Sequence, residues 1–94
     1  MLNSVKMALR ITTDAYDDEI KDLIEAAYLD LGIAGVITET QKDPLIGLAV
    51  KTYCKMNFGQ PDDYDRLKKS YDEQKAQLSM SSNYTDYSML KEAA

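Results

Sequence analysis

Apolar side chains recur at α-helical spacing between residues 14 and 31, and this pattern constrains the fold more than any other feature of the sequence. They lie three or four positions apart, so one side of a helix would be buried and the opposite side would face solvent. We expect Asp14 to cap this helix at its N-terminus and Gly32 to end it in the left-handed conformation. The apolar positions are Tyr16, Ile20, Leu23, Ile24, Ala27, Tyr28 and Leu31.

Two further segments have the start and stop signals of helices. Residues 3–10 form a short candidate helix that Asn3 or Ser4 can cap, and the Thr-Thr-Asp sequence that follows interrupts it. Residues 45–58 follow a capping aspartate and a proline at the first helical position, and Gly59 ends the segment. This segment is apolar around most of its circumference, which is typical of the central helix of a small domain.

A fourth helix is expected to begin at Pro61 and to end at the serines and asparagine of residues 79–83. Its apolar stripe has near-heptad spacing and consists of Tyr64, Leu67, Tyr71 and Leu78. Between the second and third helices, residues 32–42 are expected to form a loop that contains a short extended segment at residues 36–38.

These segments predict an all-α fold: a small four-helix domain, with a short N-terminal helix, three longer helices and a mobile C-terminal tail. A chain of 94 residues has the size of one domain. We assign residues 1–80 to the helical domain and residues 81–94 to the flexible tail, because the tail is polar and lacks a strong helical period.

The composition excludes most enzyme classes, because the chain contains no histidine. Histidine is the commonest general base and the commonest metal ligand in proteins. The single cysteine, Cys54, lies in the apolar third helix and is expected to be a structural residue of the core. The acids of residues 14–19 suit the positive end of a helix dipole better than a cation site. We therefore predict a protein that is not an enzyme and has no catalytic residue, cofactor or metal site.

The net charge of −5 argues against a protein that binds nucleic acid by neutralising phosphates. The connection of residues 32–42 is also longer than the turn of a helix-turn-helix motif, and the helix after it is too apolar to enter a DNA groove. No apolar run approaches the ~20 residues that span a bilayer, so we predict no membrane association.

Charge is distributed unevenly along the first third of the chain. Residues 1–12 contain Lys6 and Arg10 and no acid, whereas residues 13–31 contain seven acids and only Lys21 as a base. Opposite patches of this kind can join identical subunits head to tail. The alternative interpretation is that the acids merely gather near helix N-termini, where the helix dipole favours them.

Three stretches in a fixed order resemble a known protein family. They read ALRITTDAYDDEIKDLIEAAYLDLGI, then DPLIGLAVKTYCKMNFG, then PDDYDRLKKSYDEQKAQLSMSS. Their order and spacing are similar to those of the small head–tail connector family of long-tailed bacteriophages, whose members are also described as head-completion or DNA-packaging proteins. The resemblance covers residues 3 to about 82.

The resemblance implies a structural role in virion assembly. It implies a homo-oligomeric, dodecamer-like ring beneath the portal protein, which passes DNA through its lumen without sequence-specific binding and contacts the next tail adaptor or stopper protein. The protein would be located at the head–tail interface of the virion, and in the host cytoplasm during assembly or as a prophage product. It would use no cofactor.

Two sets of contact residues follow from charge and from the resemblance. We predict that Lys6 and Arg10 of one subunit lie near acids of the next subunit's second helix, namely Asp18, Asp22 and Glu25. The C-terminal segment of such connectors commonly reaches the portal, which implies a portal or partner contact at Tyr84, Tyr87, Met89 and Leu90. The alternative is a monomeric or dimeric helical module for protein interaction or regulation that forms no ring.

Overall fold

The computed structural model describes residues 1–37 and 44–81, and these ranges contain four α-helices and no strand. The helices are α1 (Leu2–Leu9), α2 (Asp17–Ile33), α3 (Pro44–Asn57) and α4 (Tyr64–Met80). The predicted all-α domain with a short first helix and three longer helices is therefore confirmed. The predicted tail lies outside the described residues from residue 82 onward, as do residues 38–42 of the predicted loop and Asp43, the predicted cap of the third helix.

Helix α3 is the central helix, as its apolar circumference predicts. It packs against α1, α2 and α4 and buries more residues than any other described helix. Its buried residues are Ile46, Gly47, Ala49, Val50, Thr52, Cys54 and Met56. The one buried hydroxyl among them, on Thr52, donates a hydrogen bond to the carbonyl oxygen of Leu48 at 3.0 Å, so its polarity is satisfied inside the helix.

The stripe predicted for α2 faces this core. Ile20, Ile24, Ala27 and Leu31 are buried, and Leu23 and Tyr28 are partly buried against them. Helix α1 covers one end of the core with Val5, and α4 contributes Leu67, Tyr71 and Leu78.

Two tyrosines that the sequence assigns to buried stripes are in fact exposed. Tyr16 is 47% exposed and Tyr64 is 39% exposed. Each lies at the beginning of its helix, Tyr16 as the residue before α2 and Tyr64 as the first residue of α4, where the helix has not yet reached the core. Tyr16 instead packs edge-on against the ring of Phe58, with the ring centroids 5.5 Å apart.

The side-chain caps predicted for α1 and α2 are wrong. Helix α1 begins one residue after Met1, so Asn3 and Ser4 lie inside it. Helix α2 begins at Asp17, and the residue before it, Tyr16, makes no side-chain capping bond. Asp14 forms an ion pair with Lys6 instead of capping α2.

The ends of three helices also differ from the prediction. Gly32 does not end α2: the helix continues to Ile33, and Gly35 adopts the left-handed conformation with φ of 92°. Pro61 does not open α4, because Asp63 is the residue before its first turn. Helix α4 continues through residue 80, so Ser79 belongs to the helix rather than to its end. Gly59 ends α3 as predicted, with φ of 68°.

Side chains of α2 and α4 are joined at the edge of the core. The Tyr71 hydroxyl donates a hydrogen bond to the Asp30 carboxylate at 2.5 Å, and the Lys75 ammonium donates another at 3.2 Å. The Lys75 nitrogen also lies 5.2 Å from the centre of the Tyr71 ring. Partial burial disfavours ionisation of Asp30, but the hydrogen bonds from Tyr71 and Lys75 outweigh it and lower the pKa of the carboxyl group. This cluster fixes α4 relative to the C-terminal end of α2.

Candidate subunit interface

Lys6 is held by acids of its own chain. Its ammonium nitrogen lies 3.0 Å from an Asp14 carboxylate oxygen and 2.8 Å from an Asp17 carboxylate oxygen, and its side chain is only 12% exposed. The hydrogen bonds that the Lys6 ammonium donates to Asp17 and then to Asp14 raise the pKa of Lys6. These ion pairs dock the end of α1 on the start of α2. The predicted contact of Lys6 with another subunit would require it to exchange these partners.

Arg10 is placed differently, at the exposed end of α1. It follows the last residue of the helix in the left-handed conformation, with φ of 60°. The backbone N–H of Arg10 donates to the Met7 carbonyl at 3.1 Å, and that of Ile11 donates to the Lys6 carbonyl at 2.9 Å. These bonds close the end of α1. Within residues 1–37 and 44–81, the Arg10 guanidinium forms no ion pair, so its charge is available at the surface.

The exposed side of α2 has two halves of different chemistry. The predicted acids are all exposed, and their spacing of four and three residues places them on one face of the helix. The same face continues with Leu29, which is 64% exposed, and Ile33, which is 86% exposed. We call this surface the α2 outer face, and it consists of Asp18, Asp22, Glu25, Leu29 and Ile33. It changes from acidic to apolar along the helix.

The apolar half of this face was not predicted from the sequence. Leu29 and Ile33 were not assigned a role, although they fall between the positions of the buried stripe and are four residues apart. Apolar residues that fall outside a helix's buried stripe are the signal that could have identified them. Met7 was missed for the same reason, and it is 79% exposed on the outer side of α1, three residues before Arg10.

A depression lies between α1 and α2, next to the α2 outer face. Its volume is ≈ 370 Å³, and its lining includes the largely buried Leu2, Ile24 and Tyr28 as well as the exposed Glu25 and Leu29. The Tyr28 hydroxyl oxygen is buried and has no hydrogen-bond partner among the described residues. Burial is the first cause that raises the pKa of Tyr28, so the hydroxyl stays protonated at neutral pH.

A second surface groove lies between the first turns of α3 and the last turns of α4. Leu45 and Leu48 line it from α3, and Gln74 and Leu78 line it from α4 together with Ser81. Ser81 is the last described residue, so the segment that follows it in sequence begins at this groove. The predicted portal-contact residues Tyr84, Tyr87, Met89 and Leu90 lie outside the described residues.

The cysteine and the acids at the start of α2 lie in surroundings that give them structural roles. Cys54 is fully buried, and its burial raises the pKa of the thiol to about 12, so it is not a thiolate at neutral pH. The acids Asp17, Asp18 and Glu19 occupy the first turn of α2, where they interact favourably with the helix dipole. No group of three or more metal-ligating side chains occurs in the described parts of the chain.

None of the four described helices is long and apolar enough to cross a membrane.

The chain is similar to a known protein family. A family model described as phage connector protein matches residues 1–85. No curated protein and no solved structure matches the chain. The matched range contains all four helices, the α2 outer face and Arg10.

Proposed function

The chain belongs to the phage connector protein family, and we propose that it is a subunit of the ring that joins the capsid portal to the tail. Membership confirms the family resemblance of the sequence and identifies the protein as a structural component of a phage virion. The proposal adds a position beneath the portal, a role in head completion and DNA packaging, and a contact with the next tail adaptor or stopper protein.

The proposed ring also conducts DNA through its lumen. The observation that supports this role is the charge of the protein, which is −5 overall and is concentrated in exposed carboxylates of α2. A surface of like charge discourages DNA from adhering while it passes. The role requires no sequence-specific contact, and we expect none.

The single observation that carries the subunit contact is the exposed Arg10 at the end of α1 together with the exposed acids of the α2 outer face. We propose that Arg10 of one subunit lies near Asp18, Asp22 or Glu25 of the next. Lys6 remains a second candidate for this contact, although its own chain already neutralises it. Exposed ion pairs contribute only about 0–1 kcal/mol each, so they set the register of the contact while apolar burial supplies most of the affinity.

The C-terminal segment is proposed to bind the portal. Residues 1–80 would form the connector domain, and residues 81–94 would be a flexible tail that carries Tyr84, Tyr87, Met89 and Leu90 to the partner. The support for this assignment is the family resemblance, together with the position of Ser81 at the surface groove between α3 and α4. A subunit of this kind resides in the host cytoplasm during assembly or as a prophage product, and afterwards in the virion.

The experiment is charge reversal at the proposed contact, with purified portal protein present. We expect Arg10→Glu to impair ring formation in negative-stain images and in sedimentation, while circular dichroism shows unchanged helicity. Glu25→Lys in the same chain should partly restore the ring. Lys69→Glu is the matched control, because Lys69 is an exposed base on α4, away from the proposed contact.

Unchanged rings in the Arg10→Glu variant would refute the proposed contact. The absence of a ring from the unaltered protein, at high concentration and with portal, would refute the ring itself. That result would favour the alternative function, a monomeric or dimeric helical module for protein interaction or regulation.

A further inference from the structure

We propose that Met7 of one subunit inserts into the depression between α1 and α2 of the next subunit, and that this insertion is the apolar anchor of the ring contact. The inference rests on the proposed ring, and it names the side chain and the site that supply the affinity which ion pairs cannot. The occupant of the depression is thus a second copy of this chain.

Met7 is exposed on the outer side of α1. A methionine that is 79% exposed leaves a large, flexible apolar side chain in water, although its helix buries Val5 on the opposite side. Methionine is well suited to fill an irregular cavity, because it is unbranched and its sulfur makes favourable contacts with aromatic rings. The depression supplies such a ring in Tyr28, together with the aliphatic side chains of Leu2 and Ile24.

The apolar and charged side chains of one surface have nearly the same spacing as their proposed partners on the other surface. Met7 lies in the last turn of α1 and Arg10 is the residue directly after the helix, so the two lie three residues apart at the same end of α1. Glu25 and Leu29 are four residues apart on α2, a separation of about 6 Å, and both line the depression. One arrangement of two adjacent subunits therefore lets Met7 of the first contact Leu29 and Tyr28 of the second. In the same arrangement, Arg10 of the first subunit pairs with Glu25 of the second.

Charge complementarity favours a second copy as the occupant. Lys21 also lines the depression, but it is outnumbered by the acids Asp18, Asp22 and Glu25 on the neighbouring face of α2. An incoming Arg10 therefore meets net negative charge.

The proposed contact is of the kind that can close a ring. Met7 and the depression are different surfaces of the same subunit, since the outer side of α1 carries Met7 and the inner side packs on α2. A contact between two different surfaces is heterologous, and repetition of a heterologous contact produces a closed ring when the rotation between subunits closes. An isologous contact through Met7 alone would stop at a dimer.

Disulfide trapping in the full chain tests the geometry. The Met7→Cys/Leu29→Cys double variant is assembled on purified portal protein and mildly oxidised, so that two thiols on adjacent subunits form a disulfide only when their Cβ atoms are about 3.5–4.5 Å apart. Cys54 does not interfere, because it is fully buried. We expect a ladder of covalent dimers, trimers and larger multimers on a non-reducing gel.

The controls separate this inference from the proposed function. Each single variant should give no ladder, and neither should Met80→Cys/Leu29→Cys, in which the exposed methionine of α4 replaces Met7 as the test position. Rings without a ladder in the double variant would overturn the inference and leave the ring intact. A single dimer band would overturn it in favour of an isologous contact. The absence of rings from the unaltered protein would overturn both the inference and the proposed function.

A charge at position 7 tests the energetics. We expect Met7→Glu to raise the protein concentration needed for half-maximal ring formation by at least about tenfold, because one methionine side chain is no longer buried and a charge takes its place. Met80→Glu should leave this concentration unchanged, since Met80 is 84% exposed at the end of α4. Equal effects of the two substitutions would overturn the anchor role of Met7.

Discussion

Tyr71→Phe is expected to destabilise the domain through the loss of one hydrogen bond. The substitution keeps the aromatic ring, which is 2% exposed and packs edge-on against Tyr53 with the centroids 5.3 Å apart. It removes the hydroxyl that donates to Asp30 at 2.5 Å. Asp30 would keep the hydrogen bond from Lys75 at 3.2 Å and would lose its closer partner.

The magnitude follows from the burial of the partners. A hydrogen bond to a charged group contributes about 1.5–3 kcal/mol. The Asp30 side chain is 34% exposed, so water can replace part of the lost interaction, and we expect the free energy of unfolding to fall by about 1–2 kcal/mol. For a domain of this size, that loss corresponds to a decrease in Tm of about 4–16 °C.

Urea unfolding followed by circular dichroism, at neutral pH and in acid, is the assay. Because the pKa of Asp30 is lowered in the folded state, the carboxylate contributes stability above its unfolded pKa and loses that contribution as the pH falls through the folded pKa. The difference between the parent and the Tyr71→Phe variant should therefore be present at pH 7 and shrink in acid.

Tyr64→Phe is the matched control for this measurement, since Tyr64 is 39% exposed on the same helix. It should leave the free energy of unfolding within about 0.5 kcal/mol of the parent. Equal stability of the Tyr71→Phe variant and the parent at pH 7 would refute the assigned role of the Asp30 hydrogen bond.

Three further predictions concern other parts of the chain. Cys54 should react slowly with a thiol reagent in native buffer and rapidly in denaturant, and rapid native labelling would contradict its burial. Cys54→Ala should lower the free energy of unfolding in urea by roughly 1 kcal/mol, because it leaves a small cavity. Gly35→Ala should destabilise the domain by about 1–2 kcal/mol, because φ of 92° strains any residue with a Cβ. Gly32→Ala, at an exposed position inside α2, should instead stabilise the domain by about 0.5–1 kcal/mol. Effects of equal sign in urea unfolding would contradict the observed end of α2. Limited proteolysis of the isolated protein should cut near residues 83–87 and leave a folded fragment of about residues 1–80, as judged by mass spectrometry; a protected tail would weaken the proposed portal contact.

The sequence predicted the helices because their apolar periods are local and unambiguous. The stripe of Ile20, Ile24, Ala27 and Leu31 and the apolar circumference of α3 each dictate what is buried. The helix ends were less predictable. Gly32 and Gly35 are equally good candidates for a left-handed residue, and only the packing of α2 decides between them.

The electrostatic contacts depend on distances that a sequence does not contain. Asp14 has the local sequence pattern of a helix cap, but it pairs instead with Lys6, which lies eight residues earlier in α1. Asp30, Tyr71 and Lys75 form one cluster although more than 40 residues separate Asp30 from the other two. At the candidate interface, the acids of α2 and Arg10 were predicted from charge alone. Met7 carries a sequence signal as an apolar residue outside the buried face of its helix, whereas the depression is visible only in the structure.

The central position of α3 has a mechanical consequence for the proposed ring. Helix α4 is attached to the domain mainly through α3, with the Asp30 cluster as its link to α2. The proposed portal-contact segment follows α4 in sequence, so a portal that holds this segment would transmit tension first into α4 and its contact with α3. Helices α1 and α2 carry the proposed subunit contact, and they would receive this load only through their packing on α3 and through the Asp30 cluster. The strength of these two connections would therefore determine how far a pull from the portal disturbs the contact between neighbouring subunits.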